Sequence, residues 1–314
     1  MASAAASAHD SPARPIESHL AAVESLRLGD GRVLCVRRWP GTGENTLVLL
    51  HGLLDSSEGW GCLGEGLTCA RVAFDLPGFG YSDVSSPGSI DGYARDVAEG
   101  LQMLGIERFT LVGHSLGGAV ATALAELMPA KVDAIVLLAP AGFGRLGLAE
   151  AASTPGVRHL VEVALPLALS SRLVVTAAYL TMVSNRRAPG REVVDRVTSR
   201  GGALAAGARE GTRAVVEAGR SRQAFHRRRV DYDGPVDAVW GDCDRLVPLS
   251  HRHGVRAAFP HARVHVWRGM GHDPLRERLD EVTDLIAHAV AAAPPARRCD
   301  QTAASAPLAT AIGS

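Results

Sequence analysis

Apolar residues in this chain fall into two alternating patterns: short continuous runs, and stretches with helical spacing. Thr46–Leu50, Arg71–Phe74, Phe109–Val112, Asp133–Leu138, Val236–Trp240 and Arg263–Trp267 have the length and apolar continuity of strands covered on both faces. Between them, Tyr93, Val97, Leu101 and Leu104 share one face of a helix, and Ala119–Leu127 predicts another that stops before Pro129. Leu275, Leu279, Val282 and Ile286 form the stripe of a last helix, with Asp273 placed to cap it and Pro274 suited to its first turn. Near the start, Glu24–Gly29 and Arg32–Trp39 flank Asp30-Gly31, the signature of a hairpin. Strands alternating with helices predict an α/β fold: a mostly parallel central sheet with helices on both faces.

One segment breaks the rhythm. Residues 142–229 are helical in composition, contain no convincing strand and separate two strands of the sheet. They predict a helical lid inserted into a core made of residues 21–141 and 230–291. The apolar part of the lid, Leu160–Val183, either faces a substrate pocket or packs the lid on the body. Residues 1–20 and 292–314 are rich in Ala, Ser and Pro and predict disordered tails.

Composition narrows the classes of partner. The 314 residues carry 46% hydrophobic side chains and a formal net charge of zero, so charge implies neither nucleic acid nor an acidic membrane as partner. The basic side is almost all arginine, Lys131 being the only lysine. The basic run Arg220, Arg222, Arg227, Arg228 and Arg229 marks the lid's return to the body, with an anion site as its alternative. Cys35, Cys62, Cys69, Cys243 and Cys299 are scattered and contain no C-x-x-C pair, which fits a reducing, cytoplasmic setting without structural disulfides or zinc. The N-terminus lacks the basic start and apolar core of a secretory signal. Glu162, Pro166 and Arg172 interrupt Val161–Val183, leaving no uncharged run long enough for a membrane span.

The candidate chemistry lies at strand ends. Gly113-His114-Ser115-Leu116-Gly117-Gly118 follows one buried run and opens a helix, so Ser115 sits on a sharp strand-to-helix turn with its hydroxyl exposed. The N–H of Leu116 is then placed to meet a developing oxyanion. A serine hydroxyl needs a base, and the base needs an orienting carboxylate. Gly241-Asp242-Cys243-Asp244 and Gly269-Met270-Gly271-His272 follow the next two strands and offer both, with Asp242 and Asp244 as rival acids. His251, His253, His261 and His265 lack the Gly-His context at a strand end. His51 is expected to shape its own loop, His114 to pack, and Asp75 and Asp83 to brace the loop between them.

In order, His51-Gly52, Asp75–Ser82, Gly113–Gly118, Gly241-x-x-Asp244-x-x-Val247-Pro248 and Gly271-His272 resemble the α/β-hydrolase fold family, in its serine-nucleophile branch with a helical lid. The resemblance covers about residues 24–290. It implies Ser115 as nucleophile, His272 as base, Asp244 as its orienter, and the N–H groups of Leu53 and Leu116 as the oxyanion hole. It implies no metal or cofactor; the apolar character of the lid favours a hydrophobic small-molecule substrate, and the sequence sets no oligomeric state. The expected reaction is hydrolysis of a carboxylic ester, thioester or lactone through an acyl-enzyme. Carbon–carbon hydrolases of ring-cleavage diketones share the triad and lid, but typically carry more glycine where this chain has Leu53-Leu54-Asp55-Ser56. A lyase or cyclase and a low-turnover receptor are further uses of the same scaffold.

Overall fold

The computed structural model describes residues 21–42, 45–63, 67–184, 189–221 and 224–292. The expected tails lie outside the described residues, apart from Ala292, which ends the last helix.

Eight strands form one sheet: β1 (Ala22–Arg27), β2 (Val33–Trp39), β3 (Thr46–Leu50), β4 (Ala70–Phe74), β5 (Phe109–His114), β6 (Val132–Leu138), β7 (Val236–Gly241) and β8 (Arg263–Trp267). Their order is β1-β2-β4-β3-β5-β6-β7-β8. The hairpin β1–β2 pairs antiparallel, and β2 joins β4 antiparallel; every later pair is parallel. Gly113 sits opposite both Leu50 and Leu137, so the carboxyl ends of β3, β5 and β6 finish level.

The continuous apolar runs are explained by burial on both faces. Alternate residues point to opposite sides. Val48, Leu50, Leu111 and Ile135 pack with Val97, Leu101, Val120 and Leu124 of α1 (Ile90–Met103) and α2 (Leu116–Leu127). Leu47, Leu49, Val112 and Val136 pack on the other side with Val282 and Ile286 of the C-terminal helix, Leu279–Ala292. Helix α2 begins at Leu116, earlier than the apolar pattern alone suggests. Gly117 allows this, because a Cβ there would fall on the carbonyl oxygen of Leu50.

Between β6 and β7 the chain inserts α3 (Gly147–Ala152), α4 (Pro155–Ser170), α5 (Arg172–Met182), α6 (Arg191–Thr198) and α7 (Gly201–Arg220). No strand occurs among the described residues of this insertion. Helix α7 rests directly on the body: a Cβ on Gly207 would fall on the carbonyl oxygen of Gly78. One turn on, the buried Glu210 carboxylate accepts the N–H of Gly88 at 3.0 Å.

Helix α4 packs on α7 and turns 101° into α5. The apolar stretch 160–183 does not face the body as a unit. Leu160, Leu167 and Leu173 are 68%, 76% and 80% exposed, whereas Leu169, Val175 and Val183 are buried. Helical spacing explains the split: residues 160, 163 and 167 share one face of α4, and Leu165 and Leu169 occupy the other. Among the described residues no single helix is long and apolar enough to cross a membrane.

Three members of the basic run form ion pairs with the body or the insertion, and Arg227 donates to His226 Nε2 at 3.2 Å instead. Arg220 meets Glu150 at 3.1 Å, Arg228 meets Glu126 at 2.7 Å, and Arg229 meets Asp233 at 2.7 Å. Arg222 lies outside the described residues.

Candidate active site

The turn between β5 and α2 forces Ser115 to φ 51° and ψ −114°, a left-handed conformation that serine rarely adopts. The surrounding backbone holds it there. The Ser115 N–H donates to Leu138 at 2.9 Å, and its carbonyl accepts from Ala141 at 2.9 Å and Gly118 at 3.0 Å. The hydroxyl thus stands at the carboxyl edge of the sheet, at the first turn of α2.

His272 follows β8 and meets that hydroxyl, with Nε2 3.0 Å from Ser115 Oγ. Its Nδ1 lies 2.8 Å from Asp244 Oδ2. An ionised carboxylate can only accept, so Nδ1 carries the proton and Nε2 presents its lone pair to the serine. The Asp244 side chain is fully buried, and that of His272 is 3% exposed. The other Asp244 oxygen, Oδ1, accepts the N–H groups of Leu246 and Val247 at 2.8 and 2.9 Å. Asp242, the rival acid, instead accepts the Gly269 N–H at 2.7 Å and braces the neighbouring loop.

The main chain of His272 is held from two sides. Its N–H donates to Met182 at the end of α5, 2.8 Å away, and its carbonyl accepts from His114 Nε2 at 2.9 Å. Burial depresses the His114 pKa, and the neighbouring His272 adds to this, so His114 is a neutral brace.

The loop after β3 passes beside the serine: a Cβ on Gly52 would lie 3.2 Å from Ser115 Cβ. His51 shapes this loop. Its Nε2 accepts the Leu76 N–H at 3.0 Å, which puts the proton on Nδ1 for donation to the Gly52 carbonyl at 2.7 Å. Asp75 accepts Ser57 N–H at 2.7 Å and Tyr81 N–H at 2.9 Å, and Asp83 accepts Val33 N–H at 2.7 Å, so both carboxylates brace loops. The Leu53 and Leu116 side chains meet under α7, where a Cβ on Gly211 would lie 2.8 Å from Leu53 Cδ1, 3.3 Å from Leu116 Cδ2 and 3.3 Å from Phe79 Cζ.

Of the rival histidines, His253 is exposed, and the other three have partners of their own. His251 faces the Arg145 carbonyl, His261 the Gly234 carbonyl and His265 the Asp237 carboxylate. Cys243, between the two aspartates, is exposed. Among the described residues no group of three or more His, Cys, Asp or Glu side chains is arranged to hold a metal ion.

The sequence reading missed an ionic cluster beside the site. Asp55 Oδ1 meets Arg196 of α6 at 2.7 Å, and Asp55 Oδ2 lies 3.9 Å from Arg276. Burial alone would raise the Asp55 pKa, but Arg276 and Arg196 outweigh it and hold the carboxyl below its ordinary range. Asp273, expected as a helix cap, makes no cap bond; its carboxylate turns to Arg276 at 2.8 Å and to the Tyr179 hydroxyl of α5 at 3.3 Å.

Comparison with known proteins identifies the fold family. The alpha/beta hydrolase fold family model matches residues 45–166. An uncharacterised protein of Mycobacterium tuberculosis is 30% identical over 252 residues, covering 76% of this chain and 73% of that protein. The 2-hydroxy-6-oxononadienedioate/2-hydroxy-6-oxononatrienedioate hydrolase of Klebsiella pneumoniae is 25% identical over 273 residues, covering 81% of this chain and 89% of that enzyme. Among solved structures, an epoxide hydrolase superposes with a TM-score of 0.71 at 19% identity, over 87% of this chain and 99% of its own. The chain is an enzyme of the α/β-hydrolase fold family.

Proposed function

We propose that this enzyme is a serine hydrolase that cleaves a carboxylic ester, or a related thioester or lactone, of a hydrophobic small molecule. The observation that carries the reading is the unbroken relay from Ser115 Oγ through His272 to Asp244, at 3.0 and 2.8 Å, with Ser115 half-buried at the strand-to-helix turn. In the reading, His272 Nε2 takes the Ser115 proton as Oγ bonds to the substrate carbonyl carbon. The negative charge that develops on the carbonyl oxygen meets the N–H groups of Leu53 and Leu116. His272 returns its proton to the leaving alkoxide or thiolate, leaving an acyl group on Ser115. A water, deprotonated by His272, then attacks that ester and releases the acid and the free serine.

Asp244 keeps the imidazole in the tautomer this requires and stabilises its charged form. Leu53, Leu116 and Phe79 supply an apolar wall under α7, which supports a hydrophobic acyl group, with the inserted helices acting as a lid. The setting proposed is cytoplasmic.

Relatedness to the Klebsiella dienedioate hydrolase favours a second reading, hydrolysis of a carbon–carbon bond in a diketone by the same three residues. The test is steady-state turnover of p-nitrophenyl esters from short to long acyl chains, with Ser115→Ala alongside. Ester turnover that falls at least 10³-fold in the variant supports the first reading. No ester turnover, with diketone cleavage that depends on Ser115, moves the assignment to the second.

A further inference from the structure

Leu53 stands on a turn that its own backbone secures poorly. Leu54 has φ 64°, the left-handed region that non-glycine residues seldom occupy. Among the described residues the only backbone bond across the turn is a long one, from Asp55 N–H to the Gly52 carbonyl at 3.3 Å. What fixes the end of the turn is the Asp55 carboxylate. It lies against Gly59, where a Cβ would sit 2.5 Å from Oδ2, and it is gripped by Arg196, 141 residues away on α6.

The two side chains are 18% and 17% exposed, so their attraction is screened far less than that of a surface pair. Arg196 is itself held by Glu58 at 3.1 Å, and Glu58 by Arg37 at 3.1 Å on β2. The space left among Asp55, Glu58, Arg196 and Arg200 is about 10 Å³, room for one water. A substrate carboxylate does not fit there, so the guanidinium serves the protein's own carboxylate.

We propose that Arg196 is a positioning residue for the oxyanion hole: through Asp55 it fixes the turn that aims the Leu53 N–H, so the hole is complete only when α6 is seated on the body. The inference rests on the reading of Ser115 as nucleophile with Leu53 and Leu116 as donors. An oxyanion hole acts on the charge of the transition state, so loosening it lowers kcat and leaves KM nearly unchanged.

The experiment compares the full-length wild type with Arg196→Met, Arg196→Lys, Asp55→Asn, the double variant Arg196→Met/Asp55→Asn, and Ser115→Ala. It reads kcat and KM on the preferred p-nitrophenyl ester and the rate of fluorophosphonate labelling of Ser115, which needs no natural substrate. In Arg196→Met, kcat and the labelling rate fall together by about 10- to 100-fold while KM stays within about threefold. Arg196→Lys recovers part of the loss, and the double variant is no worse than the poorer single one.

Wild-type kcat and labelling in Arg196→Met, or a rise in KM alone, overturns the proposal and leaves Arg196 a packing contact. Should Arg196→Met fail to fold, Asp55→Asn decides by the same criteria. Full turnover in Ser115→Ala would instead overturn the nucleophile reading and this inference with it. An inactive Ser115→Ala beside a fully active Arg196→Met overturns the inference alone.

Discussion

His114 Nε2 lies 2.9 Å from the carbonyl oxygen of His272, so the residue before the candidate nucleophile holds the main chain of the candidate base. A carbonyl only accepts, so His114 donates from Nε2, and burial, with the neighbouring His272, depresses its pKa and favours the neutral imidazole. The same neutral state is imposed by burial on His51 and His251.

These histidines make stability pH-dependent. Their folded pKa values lie below the ordinary imidazole value of about 6.5, so the unfolded chain binds more protons as the pH drops below about 6.5. The contribution is complete above that pH and is lost progressively as pH falls toward the depressed folded values. Each such histidine adds a slope of at most about 1.4 kcal/mol per pH unit. Urea midpoints at pH 7.5, 6.5 and 5.5 should therefore be nearly level over the first step and fall over the second. A level profile down to pH 5.5 would contradict neutral buried imidazoles.

Ser115 stores strain that glycine would release. Both Ser115→Ala and Ser115→Gly remove the nucleophile, but only glycine accepts φ 51° and ψ −114° without a Cβ clash. After the greater unfolded-state entropy of glycine is subtracted, Ser115→Gly should be more stable than Ser115→Ala by about 1 kcal/mol. Chemical denaturation of the two inactive variants measures this directly; a Ser115→Gly less stable than Ser115→Ala by about the 0.5–1 kcal/mol entropic cost of glycine would mean that the turn is unstrained.

The hydrogen bonds at Asp244 forecast what an amide does there. Oδ1 receives two backbone N–H groups, so the oxygen of Asp244→Asn stays on that side and the NH₂ turns toward His272. The imidazole must then accept at Nδ1 and carry its proton on Nε2, facing the serine in the wrong tautomer. Turnover should drop by about 10³- to 10⁴-fold with little change in KM. Asp242→Asn, whose amide oxygen can still accept the Gly269 N–H, should keep wild-type kcat. Similar losses in both variants would count against the roles drawn here.

The sheet was legible because each buried strand declares itself within five or six residues, and the glycine-flanked turns follow at once. Ser115, Asp244 and His272 all sit in such turns, so their shared edge could be read from local spacing. The Asp55–Arg196 pair had no local signal: its members are 141 residues apart, and α6 is placed by tertiary packing alone. Leu160–Val183 reads as one apolar block, yet helical periodicity divides it between solvent and body, and composition alone could not give its orientation. Asp273 had the spacing of a cap, but the half-buried Arg276 offered its carboxylate a charged partner in place of a backbone N–H.

The seat of Gly207 on Gly78 makes α7 a crossbeam. Backbone resting on backbone has no rotamers to rearrange, so the height of α7 above the Asp75–Ser82 loop is fixed at that point. Helix α4 packs along this beam, and α5 follows it to the Met182 carbonyl, which accepts the His272 N–H. Changes of side chain in α4 can therefore accumulate along a helix whose support on the body does not move with them.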